Sequence, residues 1–173
     1  MPAMVKSRAP EFTLDGVVGK EFKTVKLTDY KGKWVVLFFY PLDFTFVCPT
    51  EILEFSRRER DFLREDCQIL GVSVDSKYSH LAWVEHGLGE ISFPLLADIR
   101  KQTARDYGVL LEDAGVSLRG TFIIDPEGVI RWMLVHDLGI GRSVEEVLRV
   151  LQSLKTGELC PAEWRPGKAF IRA

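Results

Sequence analysis

A nearly unbroken apolar run, Trp34 to Tyr40 within KWVVLFFY (33–40), leaves this chain few ways to fold. It lacks the polar–apolar alternation of a strand with one wet face. Both faces must therefore be buried, which requires other layers above and below it. Directly behind the run comes PLDFTFVCPTE (41–51), with one cysteine at the junction, and then a stretch of helical character. In that stretch (49–66) Ile52, Phe55 and Phe62 with Leu63 form an apolar stripe, and Pro49 suits a first turn, where a missing N–H costs nothing.

The same alternation continues downstream. CQILGVSVD (67–75) reads as a second buried strand, SKYSHLAWVEHG as a helix ended by Gly87, and SFPLLAD as a short strand. IRKQTARDYG reads as a short helix closed by Gly108. Residues 120–135 give a hairpin signal, two apolar runs around Asp125-Pro-Glu-Gly128, with proline where a type I turn prefers it. A last helix follows, with Ser143 and Glu146 as a capping box, Val144, Val147, Leu148 and Leu151 as the stripe, and Gly157 as the stop. The order β-α-β-α-β-α-β-β-α predicts a mixed sheet covered by helices, an arrangement that a thioredoxin-like α/β fold has. Residues 1–156 form the expected domain. Residues 157–173, rich in turn residues, form a C-terminal arm of low expected local stability.

Composition excludes several functions. Net charge is −2, with 46% hydrophobic and 28% charged residues, so nothing draws the chain toward nucleic acid or an anionic membrane. No apolar run approaches a membrane span, and MPAMVKSRAPEF has no signal-type core, so a cytoplasmic protein is expected. Cys48, Cys67 and Cys160 make neither a disulfide framework nor a CxxC pair. His80, His86 and His136 show no zinc-ligand spacing with them, so neither metal nor other cofactor is expected, and no general-base role falls to these histidines. Tyr78 and Trp83 fall at spacings that fit core packing.

Cys48 has two readings from its position alone. It can fill space at a strand end, as free buried cysteines often do. Alternatively, it can use the unpartnered N–H groups and positive dipole end of the following helix, which favour thiolate over thiol. Thr45, one turn earlier, offers a hydroxyl near the sulfur, and Pro41 shapes the loop and limits solvent approach.

The spacing Pro41–Thr45–Cys48 closely resembles the active-site signature of peroxiredoxins. GVSVDS (71–76), HLAW (80–83), FPLLAD (93–98), LRGTFIID (118–125) and GRSVEE (141–146) resemble successive landmarks of that family, in order. GELCPAEWRPG (157–167) is similar to the segment carrying the second cysteine of the typical 2-Cys class. The resemblance implies a thioredoxin-like fold and a thiol peroxidase acting on hydrogen peroxide and alkyl hydroperoxides. Cys48 is then the peroxidatic cysteine, oxidised to a sulfenic acid. Thr45 and the Cys48 N–H bind the peroxide, Arg119 polarises it, and Glu51 and Arg142 complete the arginine network. Cys160 becomes the resolving cysteine, acting from a partner subunit, with thioredoxin or a similar protein as reductant and a homodimer, assembling to a decamer, as the functional unit. Cys67 is structural.

Two departures stand out. The loop HGLGE (86–90) matches only part of the Gly-Gly-Leu-Gly sequence of peroxide-sensitive members, and WRPGKAFIRA lacks their Tyr-Phe pair. Resistance to over-oxidation is therefore expected. The competing functions are a holdase chaperone and a non-catalytic thioredoxin-fold interaction module.

Overall fold

The computed structural model describes residues 3–173. Its centre is the strand demanded by the apolar run, β3 (Trp34–Phe39). β4 (Cys67–Ser73) pairs with it in parallel and β8 (Arg119–Ile124) antiparallel. β5 (Leu95–Ala97) lies parallel to β4, and β9 (Ile130–His136) pairs antiparallel with β8. The sheet is completed by β1 (Thr13–Val18) and β2 (Glu21–Lys26), giving the order β2-β1-β5-β4-β3-β8-β9.

Strand periodicity divides the core in two. Val36, Phe38 and Tyr40 enter one apolar cluster with α1 (Cys48–Arg64) and α4 (Val144–Thr156), where Phe38 stacks on Phe55 at 4.5 Å between centroids. Val35, Leu37 and Phe39 enter the other, where Phe39 meets the edge of Phe122. Each such side chain contributes roughly 1.5–3 kcal/mol on burial. The run thus anchors both layers, and it ends where the cysteine loop begins.

The predicted elements are present with informative differences. The β1–β2 hairpin is absent from the sequence reading. Its two-residue turn, Gly19-Lys20 with Gly19 at φ +63°, is the signal that could have found it. A small hairpin of β6 (Leu110–Leu111) with β7 (Val116–Ser117) was likewise not foreseen. The helix predicted to stop at Gly87 forms α2 (Lys77–Trp83) and then widens into a π turn through Leu88, kinked at His86. α3 is confined to Gln102–Asp106, because Lys101 is left-handed and the Asp98 carboxylate accepts the N–H groups of Thr103 and Ala104.

The capping box is only half made. Ser143 Oγ accepts the Glu146 N–H, but Arg149 takes the Glu146 carboxylate. Leu63 and Tyr78 are exposed rather than packed, while Trp83 is buried.

α1 and α4 lie side by side in the same direction. Glu51, in the first turn of α1, bonds Arg142 just before α4, and Glu65, at the end of α1, meets Gln152 and Lys155 near the end of α4. The segment 157–173 contains no helix or strand, yet it is not loose. Trp164 is buried, stacks on Phe170, and its carbonyl accepts from Arg149; Ile171 N–H donates to the Leu159 carbonyl. Among the described residues no helix is long and apolar enough to cross a membrane.

Candidate active site

Cys48 opens α1 as its first residue, with Pro49 second, immediately after the β3 loop. Its side chain is 0% exposed and lies within the apolar cluster shared by Phe38, Tyr40 and Ile52. The following turn is tightened by Thr50, whose hydroxyl and N–H both donate to the Val47 carbonyl.

Strand β8 brings Arg119 to the sulfur. Its Nη1 donates to Cys48 Sγ at 3.3 Å and to Glu51 Oε1 at 2.5 Å, and its Nε donates to the Leu138 carbonyl at 2.7 Å. Three fixed acceptors thus hold the plane of one guanidinium. Glu51, 2% exposed, is equally committed on its other side. Oε2 accepts from Arg142 Nε at 2.5 Å and from the Arg142 N–H at 3.0 Å. Arg142 also donates to the Gly120 carbonyl, Thr121 Oγ1 and the Phe39 carbonyl. Burial pulls the Arg142 guanidinium below its ordinary pKa, and the bonds to Glu51 oppose that pull. A buried carboxylate between two buried guanidiniums, every member hydrogen-bonded, forms a rigid support for the one donor, Arg119 Nη1, that reaches the sulfur.

Of the residues singled out in the sequence, Cys48, Arg119, Glu51 and Arg142 therefore meet in one network. Pro41 is buried at the head of the loop. Thr45 lies in the same loop, where its hydroxyl donates to the Leu42 carbonyl at 2.8 Å instead of to the sulfur. Cys160 is elsewhere. It follows α4, with Sγ 3.5 Å from Thr156 Oγ1 and 3.8 Å from the Ser153 carbonyl. Cys67 is buried at the start of β4, and burial pushes its thiol pKa up, the setting of an inert cysteine.

Sequence reasoning missed the polar support beneath the loop. His80, 0% exposed, donates from Nε2 to the Leu96 carbonyl, and its Nδ1 lies 2.7 Å from Asp43 Oδ2. Tyr40 and Ser79 donate to the same carboxylate, whose own backbone N–H donates to Asp75. Burial, with Asp43 beside it, drives the Tyr40 phenol well above its usual pKa. A buried histidine has no periodicity that reveals such a partner from sequence. The backbone acceptors at Leu138, Gly120 and Phe39 carry no residue signature at all.

A thiol set at a helix start beside a clamped guanidinium, on a mixed sheet of this topology, defines a thioredoxin-fold protein with a cysteine-centred site. The family model described as AhpC/TSA matches residues 5–133, and the chain belongs to that family. Among curated relatives, Peroxiredoxin-2 of Macaca fascicularis is 54% identical over 179 aligned positions, covering 98% of this chain and 90% of the relative. The chloroplastic 2-Cys peroxiredoxin BAS1 of Hordeum vulgare is 53% identical, covering 98% and 85%. Among solved structures, reduced 2-Cys peroxiredoxin of Plasmodium vivax superposes with a TM-score of 0.95 at 43% identity, covering 99% of this chain and 94% of that one. AhpC of Mycobacterium tuberculosis gives 0.87 at 40% identity, covering 95% and 100%.

Proposed function

We propose that this protein is a thiol-dependent peroxidase that reduces hydrogen peroxide and alkyl hydroperoxides. The observation that carries the reading is the bond from Arg119 Nη1 to Cys48 Sγ within the Glu51-centred network. The relatives' names, which include a mitochondrial thioredoxin-dependent peroxide reductase of Mus musculus, support it.

The Cys48 thiolate attacks the nearer peroxide oxygen. An S–O bond forms as the O–O bond breaks, and the leaving oxygen departs with the electron pair and a proton as water or an alcohol. Cys48 becomes a sulfenic acid. Charge grows on the leaving oxygen in a site closed to bulk water, where the fixed Arg119 guanidinium meets it without reorganisation. Thr45, having spent its proton on Leu42, keeps oxygen lone pairs that can accept the peroxide's own O–H. Because Cys48 is fully covered, substrate entry requires a local displacement that uncovers the sulfur.

Resolution belongs to Cys160, which attacks the Cys48 sulfur and expels water. Geometry argues that this Cys160 comes from a second chain. α4 runs parallel to α1 for 13 residues, about 20 Å, with Cys48 at the starting end and Cys160 beyond the far end. A disulfide tolerates only about 4.4–6.8 Å between Cα atoms. The exposed Leu134 on edge strand β9, and separately the exposed Phe44, Phe46 and Tyr78, support two interfaces, hence a homodimer assembling further to a decamer. A thioredoxin-like dithiol then reopens the disulfide. On this reading residues 1–156 form the catalytic domain, 157–173 the arm carrying the resolving thiol, and the cytoplasm is the site of action. Peroxide consumption by wild type and Cys48→Ser is the test. Activity must vanish in the variant, whereas holdase behaviour or simple partner binding would survive it.

A further inference from the structure

His136 is the last residue of β9 and stands directly opposite Arg119 on β8. Directly opposed residues of an antiparallel pair leave the same face with Cβ atoms about 5 Å apart. The imidazole therefore shares the sheet face that carries the arginine network. Its Nδ1 is buried and, among the described residues, has no hydrogen-bond partner.

The chain after His136 is the segment that grips the site. Leu138 supplies the carbonyl that accepts Arg119 Nε. Gly141 lies against Val47 and Glu51, since a Cβ there would sit 3.4 Å from Val47 Cγ1. Arg142 follows, bonded to Glu51 through both backbone and side chain. Asp137 ties the turn, accepting the Leu138 N–H on its own carboxylate and the Ile140 N–H on its carbonyl.

We propose that His136 is a positioning residue for the Cys48 site: as a neutral imidazole it backs the 137–142 segment and Arg119, and its protonation loosens their hold on the sulfur. The proposal rests on the peroxidase reading. The charged groups around the ring are Arg119 from β8, Glu51 from α1, Arg142 from the segment before α4, and Asp137 beside it in the chain. Glu51 already serves both guanidiniums. An imidazolium would place an N–H on the buried Nδ1, which has no hydrogen-bond partner among the described residues, and would add a third cation beside two others; Glu51 and the Ile140 backbone favour the charged form without outweighing this. An uncompensated buried donor and like-charge repulsion both disfavour it. Consistent with that geometry, burial first and Arg142 second hold His136 below the ordinary histidine pKa. The unfolded chain then takes up the proton more readily. The associated stability is present above pH about 6.5, is lost as pH falls through that value, and levels off below the folded-state value.

Two measurements test this. In the first, His136 is titrated by NMR in wild type and in Arg119→Gln, its signal being assigned by its loss in His136→Asn. Removing the opposed cation should move the titration upward; an unmoved midpoint would overturn the proposed coupling. This readout needs no turnover, so it stands even if peroxidase activity fails. The second compares single-turnover oxidation of Cys48 in wild type and His136→Asn from about pH 7.5 to about pH 5. Protonation of the sulfur itself is common to both chains. Wild type should lose on the order of tenfold more rate than the variant across that range, the scale of one added neighbouring charge near a protein surface. Parallel profiles in His136→Asn, and in His136→Gln if the first variant folds poorly, would overturn the assignment.

Discussion

Replacing Arg119 by glutamine separates catalysis from folding in this site. The side chain is 3% exposed, and its Nη1 carries the donor to Cys48 Sγ. Loss of one preorganised charged donor from such a site costs about 3–4 kcal/mol of transition-state stabilisation, a slowing of about 100- to 1,000-fold. Folding should suffer much less, because Glu51 keeps Arg142 through Nε at 2.5 Å and the backbone N–H at 3.0 Å, so no buried charge is stranded. Glu51→Gln is the counterpart. It leaves two buried guanidiniums facing a neutral amide and should cost about 3–5 kcal/mol of stability as well as rate. Arg119→Lys should recover little, since one ammonium cannot reach Sγ, Glu51 and the Leu138 carbonyl from the two nitrogens that now divide them. Stopped-flow oxidation of the reduced protein gives the rates, and urea unfolding gives the stabilities. An Arg119→Gln rate within about threefold of wild type, or equal stability losses for Arg119→Gln and Glu51→Gln, would refute the reasoning.

Other outcomes follow from the same geometry. On a non-reducing gel, peroxide should shift the denatured chain to twice its mass, reversibly with dithiothreitol; Cys48→Ser or Cys160→Ser should remove the fully bridged form, and Cys67→Ala should not. Cys67→Ala should instead lower the urea midpoint modestly, by about 1 kcal/mol in stability, with the oxidation rate retained. His80→Ala removes one of the three side-chain partners of Asp43, leaves the Leu96 carbonyl without its donor and opens a buried cavity, and should cost about 2–3 kcal/mol, measured by thermal or urea unfolding. A cost below about 1 kcal/mol would show that the His80–Asp43 contact does not hold the loop.

The central layer could be read because its signal is redundant. The run 34–40, the helix stripe at Ile52, Phe55 and Phe62, and the Asp125–Gly128 turn each specify their element by more than one physical cue. The β1–β2 hairpin escaped because TLDGVVGKEFKTVK mixes charges into a strand with two wet faces at the sheet edge, where β2 buries only Val25. The site was legible to a different depth. Position alone left Cys48 undecided between filler and nucleophile. Arg119 and Arg142 could be told from the rest of the 23 lysines and arginines only through the family resemblance. Their physical distinction is burial against Glu51, produced by strand β8 and the segment before α4, and no local pattern announces it. His136 was passed over for a related reason: its neighbour Arg119 lies 17 positions away in sequence and directly across a strand pair in space.

If Cys160 acts on Cys48 from a second chain, as proposed from the parallel run of α1 and α4, the catalytic unit is a shared one, and this has a genetic consequence. On that mechanism a chain lacking Cys48 and a chain lacking Cys160 should each be inert alone. Mixed in one dimer, they still contain one intact Cys48 facing one intact Cys160. Co-expression of the two dead variants should therefore restore peroxide turnover to a fraction set by random pairing, about a quarter of the wild-type sites. Dilution that separates the subunits should abolish what mixing restored. In a cell carrying both alleles, the defect would behave as complementation within one gene rather than as simple loss of dose.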